Sequence, residues 1–234
     1  QLIEDNKIDQ MAFRRLIDDE KLPYDCTIAG SVAQAKLTLA AENFDVIISD
    51  YSLGDGTAFD IFEIVKDTPI IFVTGTGDEE IAVNAYKAGA CDYLIKDIDR
   101  NYLKTVPITV ENAIHHKHTE DRLRLLSAAI MNTEDAVYIT DPENKIIFVN
   151  KAFCKAYGYS EDEVIGQDSQ MLWLNKNSTT NTRCVFQTSS SSQIKFYHRR
   201  KNGSILPVSL SRAIIKDASG KYIAVASIAH DITE

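Results

Sequence analysis

Up to about residue 118 the chain alternates short apolar runs with amphipathic stretches, and that alternation leaves few folds open. The apolar runs are Leu2-Ile3, Cys26 to Ala29, Phe44 to Asp50, Pro69 to Thr74 and Asp92 to Lys96. Between them Met11, Phe13, Leu16 and Ile17 recur at helical spacing, and Ser31 caps a helix over Ala33 to Ala41. Ile61 to Val65 leaves room for a brief helix, and Glu79 to Ala88 closes on Gly89, a good residue just past a helix end. The run leading to Asp50 is β-branched and apolar on both sides, as a central parallel strand must be when helices cover both of its faces. Strand–helix–strand units of this length cross over right-handedly, so the expectation is an α/β unit with a doubly wound, five-stranded parallel sheet.

In open sheets of this kind ligands meet the carboxyl ends of the strands. Polar residues stand at those ends: Glu4-Asp5 after the first strand, Asp50 after the third, Thr74 after the fourth and Lys96 after the fifth. Three carboxylates, a hydroxyl and an ammonium are thus expected on one rim. Hard oxygen ligands in such a crowd suit Mg²⁺, and without a cation they would repel one another and raise one another's pKa values. A carboxylate can act as a nucleophile toward phosphorus, and the transfer then needs charge neutralisation of the phosphoryl oxygens more than covalent help.

Residues 1–118 resemble the response-regulator receiver family, whose fold is flavodoxin-like. The motifs that carry the resemblance are "LIED", "DVIISDYSLGDG", "PIIFVTG" and "AYKAGACDYLIKD". The resemblance implies that Asp50 accepts a phosphoryl group from a histidine kinase, and that Glu4, Asp5, Asp50 and the Ser52 carbonyl hold Mg²⁺. It further implies that Thr74 and Lys96 contact the phosphoryl oxygens and that Tyr93, with Thr74, forms the switch that turns inward on activation. Three features depart from the family pattern. Gly54 stands where Pro is frequent, Asp97 follows Lys96 where Pro is usual, and Thr57 to Asp67 allows only a short third helix. The first two bear on loop stiffness and on the geometry near Lys96.

Residues 99–131 read as largely helical, with Pro107 as a point of kinking or interruption, and 119–131 as a linker. Leu123, Leu125, Leu126, Ala129 and Ile130 are loosely heptad-like, which fits a parallel homodimer through this segment. His115, His116 and His118 invite a metal or phosphoacceptor reading, but neighbouring residues point to different helix faces, and a solvated polar face accounts for them better.

From residue 132 to 234 short strands and glycine turns replace the alternation. Ala136 to Thr140 and Ile146 to Val149 form a hairpin, Asn150 caps a helix through Tyr157, and Ser160 to Glu163 is a capping box. After the Ser/Thr-rich stretch from Ser169 to Ser192, three strands (Ile194 to Arg200, Ser204 to Lys216, Lys221 to His230) turn at Asn202-Gly203 and Ser219-Gly220. An antiparallel α+β domain is expected. This half resembles the PAS family through "AVYITDPENKIIFVNKAFCKAYGYSEDEVIGQ", "HRRKNGSILPV" and "KYIAVASIAHDITE". The resemblance is specific for fold and leaves the ligand open. No Cys lies in "GQDSQMLW", which disfavours a cysteinyl-flavin site, and no His lies between Gly158 and Gln193, which disfavours histidine-ligated haem. Met171 and Trp173 are candidates to line a pocket, though apolar residues there more often belong to the core.

A formal charge of −9 argues against a nucleic-acid face, and no apolar run is long enough to cross a membrane, which fits a cytoplasmic protein. Cys26, Cys91, Cys154 and Cys184 are scattered without a CxxC pair and read as reduced, half-buried small hydrophobes. The start without Met and the close on "DITE" give the expectation of an excised piece whose C-terminal effector is missing, from a hybrid sensor kinase or a response regulator with a diguanylate-cyclase output. Three function classes are compatible with these features to different degrees. A phosphorelay component leads, with Mg²⁺-dependent self-phosphorylation and dephosphorylation as its chemistry. A phosphorylation-independent dimerisation or docking module is the alternative, and a flavodoxin-like oxidoreductase lacks the phosphate-cradling glycine loops it would need.

Overall fold

The computed structural model describes residues 1–62, 64–65, 67–75, 79–174 and 195–233. The chain divides into two compact units, Gln1–Arg122 and Leu123–Glu234. Among the described residues no helix is long and apolar enough to cross a membrane.

The first unit begins with β1 (Leu2–Ile3), α1 (Lys7–Asp19), β2 (Ile28–Ala29), α2 (Val32–Ala41) and β3 (Ile47–Asp50). A small antiparallel pair, β4 (Ser52–Leu53) and β5 (Gly56–Thr57), leads into α3 (Phe59–Phe62). Then follow β6 (Ile70–Thr74), α4 (Glu79–Ala88), β7 (Asp92–Ile95), a 3₁₀ turn at Asn101–Lys104 and α5 (Val106–Asn132), whose residues up to Arg122 belong to this unit. The main sheet has the order β2-β1-β3-β6-β7 with every pairing parallel. Alternate residues serve opposite faces. Ile3, Ile47, Ile70 and Phe72 enter one core, while Leu2, Ile48, Ile71 and Val73 enter the other, with Phe13, Val106 and Val110. That is the burial pattern the two-sided apolar runs demand.

Local chemistry sets the helix starts. Asn6 caps α1 by accepting from the Ile8 N–H, and Ser31 caps α2 by accepting from the Gln34 N–H. The Asp55 carboxylate adds two further bonds to α2, from the Val32 and Ala33 N–H groups at 2.7 and 2.9 Å. Several boundaries differ from the sequence reading. Strand β2 is only Ile28–Ala29. Helix α3 starts at Phe59 because Asp60, in its first turn, accepts the Thr57 N–H at 2.8 Å. The break near Pro107 falls ahead of it, at Thr105 between the 3₁₀ turn and α5. Pro107 itself sits in the first turn of α5, where its missing N–H would have had no intrahelical partner.

The second unit contains β8 (Ala136–Thr140), β9 (Ile146–Val149), α6 (Lys151–Tyr157), α7 (Glu161–Val164), β10 (Lys195–Arg199), β11 (Ile205–Lys216) and β12 (Tyr222–Asp231). Its antiparallel sheet runs β10-β11-β12-β8-β9, so the first hairpin joins the sheet through β12. Gly203 and Gly220 both hold φ of 83°, the left-handed backbone that these tight turns require. Tyr138, Ile146, Phe153, Tyr157, Leu172 and Val208 make the core, with Phe153 and Tyr157 stacked at 4.5 Å. Met171 and Trp173 pack against this core. Cys26, Cys91 and Cys154 are half-buried free thiols. Residues 175–192 of the Ser/Thr-rich stretch, and Cys184 with them, lie outside the described residues.

Candidate functional site

Parallel neighbours β1, β3, β6 and β7 end on the same edge of the sheet, and their last or next residues carry the polar groups. Lys96 gathers them. Its Nζ donates to Asp50 Oδ2 and Glu4 Oε2, each at 2.7 Å, and lies 3.3 Å from Asp9 Oδ2. Glu4 Oε1 accepts the Asn6 N–H at 3.0 Å, which turns the carboxyl toward the rim. Asp5 Oδ2 accepts the Gly54 N–H at 3.0 Å and so ties the end of β1 to the loop after β4. Oxygens of Glu4, Asp5 and Asp50 all lie within 4.8 Å of one another.

The electrostatics follow from this crowding. Burial pushes the Glu4 carboxyl up; the Lys96 hydrogen bond opposes the shift, and the Asp50 charge adds to it. Burial alone would lower the Lys96 ammonium, but Asp50 and Glu4 outweigh it and hold its pKa above that of an ordinary lysine. Lys96 therefore stays charged throughout the physiological range. Three hard oxygen donors in one cluster also fit Mg²⁺, which takes one or two carboxylates and keeps several waters.

The other expected residues are placed as follows. Thr74 is buried at the end of β6, and its hydroxyl donates to the Gly75 carbonyl at 2.9 Å, while its own carbonyl accepts the Lys96 N–H. Ser52 lies exposed on β4, two residues past Asp50. Tyr93 is half-buried on β7, packed against one core and edge-on to Tyr86 at 5.8 Å. Glu4, Asp50 and Lys96 are thus in direct contact, Asp5 is beside them, and Thr74, Ser52 and Tyr93 have other partners.

Two further charged groups, beyond those the strand ends point to, lie at the rim. Asp9, in the first turn of α1, faces Lys96, and Arg100 Nε donates to Asp9 Oδ1 at 3.1 Å. The available signal was an acidic residue at the start of the helix that follows the first strand end. Asp97 does not interrupt this arrangement. Its carboxylate accepts the Tyr102 N–H at 3.0 Å and Asn101 Nδ2 at 2.8 Å, closing the turn that carries Arg100. No cis peptide bond occurs among the described residues.

Comparison with known families agrees with this layout. The model of the response regulator receiver domain matches residues 1–106, and that of the PAS domain matches residues 134–234. The chain is a receiver domain followed by a PAS domain. The receiver domain is similar to those of two-component response regulators, the setting of phosphorelay signalling. The two-component response regulator ORR21 of Oryza sativa subsp. indica is 33% identical over 117 residues, 47% of this chain and 16% of that protein. The response regulator protein PilR of Pseudomonas aeruginosa is 32% identical over 93 residues, 38% of this chain and 21% of that protein. The chain therefore matches only a small fraction of the length of either relative. Among solved structures it is similar to the PAS domain of a Colwellia psychrerythraea protein, at 25% identity and a TM-score of 0.43, covering 47% of this chain and 97% of that one. A PAS domain of an HTR-like protein from Haloarcula marismortui gives 23% identity and a TM-score of 0.42, covering 50% and 98%.

Proposed function

We propose that the receiver domain accepts a phosphoryl group on Asp50 from a histidine kinase and passes the resulting change to the PAS domain and to an effector domain beyond this sequence. The observation that carries this reading is the meeting of Asp50, Glu4 and Lys96 within hydrogen-bonding distance at one strand edge, with Asp5 adjacent. In the transfer, an Asp50 carboxylate oxygen forms the new bond to phosphorus while the bond from phosphorus to the donor's imidazole nitrogen breaks. Glu4, Asp5, Asp50 and the Ser52 carbonyl would hold Mg²⁺, which supplies charge neutralisation of the phosphoryl oxygens when bound. Lys96 offers a permanent positive charge to the same oxygens, and Thr74 reaches them by turning its hydroxyl away from the Gly75 carbonyl. The phosphoryl group brings about −1.5 to −2 charges, enough to bias a two-state element made of Thr74 and Tyr93.

Incubation with acetyl phosphate and Mg²⁺, followed by intact-mass measurement, tests this reading. A mass gain of one phosphoryl group, lost in Asp50→Asn, is the expected result. No gain, or a gain that survives the substitution, would sink it.

A second reading rests on α5. Leu123, Leu126 and Ile130, three and four residues apart and so on one helix face, are exposed there. An exposed apolar row on a helix supports a role in pairing with a second copy of the chain, with or without phosphorylation. Sedimentation of Leu126→Lys beside the unchanged chain checks it: dissociation of a dimer by the charge is expected, and a monomer in both would rule it out.

A further inference from the structure

Lys96 holds the same two carboxylates that a divalent cation would take. Its Nζ donates to Glu4 Oε2 and Asp50 Oδ2, and these residues form the three-carboxylate cluster with Asp5. An ammonium and a metal ion a few ångströms apart repel each other even when the surroundings screen moderately. A cation that took those two oxygens would displace Lys96 from them. An ammonium released to water would also be lost to the phosphoryl group.

A third carboxylate is in reach and lies outside the cluster. Asp9 Oδ2 is 3.3 Å from Lys96 Nζ, the longest of its three contacts. The other Asp9 oxygen is engaged by Arg100 Nε at 3.1 Å. Arg100 is itself fixed, with φ of 54° and its N–H donating to the Asp97 carbonyl at 3.0 Å, in the turn that the Asp97 carboxylate closes. Asp9 is thus set from both sides, by the first turn of α1 and by the turn after β7.

We propose that Asp9, held by Arg100, is a positioning residue that receives Lys96 when a divalent cation takes Glu4 and Asp50, and so keeps the ammonium at the rim. This rests on the reading of the rim as a phosphoryl-acceptor site. It gives the Asp97 turn, a departure from the family pattern, a task near the chemistry. By linkage, a partner for Lys96 in the cation-bound state tightens cation binding, and does so only through Lys96.

Calorimetric titration of Mg²⁺ into four full chains tests this: unchanged, Asp9→Asn, Lys96→Met and the double variant. Asp9→Asn should weaken Mg²⁺ about three- to tenfold when Lys96 is present and less than about twofold when it is Met, the scale of one charge-assisted hydrogen bond. Asp9→Glu should recover part of the loss. Arg100→Gln should show a smaller loss with the same dependence on Lys96, and it carries the test if Asp9→Asn does not fold. Equal weakening in both Lys96 backgrounds would overturn the proposal, since Asp9 would then act only as a nearby negative charge. Phosphoryl gain on Asp50, measured by mass in the same samples, keeps the two readings apart: gain with equal weakening removes Asp9's role and leaves Asp50 as acceptor. No Mg²⁺ binding by the unchanged chain would overturn both.

Discussion

Lys96 and Asp50, 46 residues apart in the chain, meet with Nζ 2.7 Å from Oδ2 because β3 and β7 flank β6 in one parallel sheet. The contact balances a rim of acids. Lys96→Met should therefore leave Glu4 and Asp50 repelling each other and destabilise the receiver domain by about 2 kcal/mol. Millimolar Mg²⁺ should restore more stability to the variant than it adds to the unchanged chain. Hydrogen exchange of the β3 and β6 amides reads both effects, and equal protection in the two chains would refute the balance.

Gly54 donates its N–H to Asp5 Oδ2 at 3.0 Å, a bond that Pro cannot make. Space for a methyl group exists there, with Asp5 Oδ2 at ordinary contact distance, 3.5 Å from an added Cβ. Gly54→Ala should leave Mg²⁺ affinity within about twofold, whereas Gly54→Pro should weaken it several-fold by freeing Asp5. Titration of the two variants side by side separates loss of the N–H from loss of glycine, and equal affinities would deny Gly54 any part in placing Asp5.

Asn150 is buried and satisfied at every position. Its Oδ1 accepts from the Val137 and Phe153 N–H groups, both at 2.9 Å, and its Nδ2 donates to the Ile130 and Asp135 carbonyls at 3.0 and 2.9 Å. Asn150→Ala would strand several of these groups, and a loss of about 3 kcal/mol is expected in the PAS domain. Asn150→Asp keeps the acceptors, sets a carboxylate against two carbonyls, and should cost at least as much. Trp173, the one tryptophan of the chain, packs on that core and reports the denaturant midpoint by fluorescence.

Acid should destabilise the PAS domain through His198. The ring is fully buried, 5.1 Å from Trp173, with Nδ1 2.6 Å from the Tyr157 hydroxyl. Burial, aided by the Arg212 charge, lowers its pKa from 6.5 to about 4. The folded state thus refuses a proton that the unfolded state accepts between those values. Stability is fully present above pH 6.5 and falls as pH drops toward 4, by about 2 kcal/mol at pH 5. His198→Gln should flatten that slope in Trp173 fluorescence melts, and a slope unchanged by the substitution would exclude His198 as its source.

His230 runs the opposite way. Its ring nitrogen lies 2.6 Å from Asp135 Oδ1, which raises its pKa. The stability this adds is present below the unfolded value of 6.5 and is lost as pH rises through the folded value. His230→Asn should therefore destabilise the PAS domain at pH 5.5 and leave it unaffected at pH 8.5, as melting temperatures would show.

Much of this was written in local order along the chain. Apolar runs between amphipathic stretches required parallel crossovers, and parallel crossovers put Glu4, Asp50, Thr74 and Lys96 on one edge, because strands linked that way all end on the same side. The caps at Ser31 and Asn150 were readable for the same reason, since a cap is a bond between near neighbours. What the sequence could not decide is whatever depends on rotation and distance between elements. Asp9 reaches Lys96 only because α1 is rolled so that its first turn overhangs the strand ends. The Thr74 hydroxyl donates to the Gly75 carbonyl, and three of the four bonds of Asn150 go to residues 13 to 20 positions away. Periodicity and turn residues determined which elements exist and which ends carry charge, because those are short-range choices. Which charges touch was decided by packing, because side chains far apart in sequence are brought within 3 Å only when the core beneath them closes.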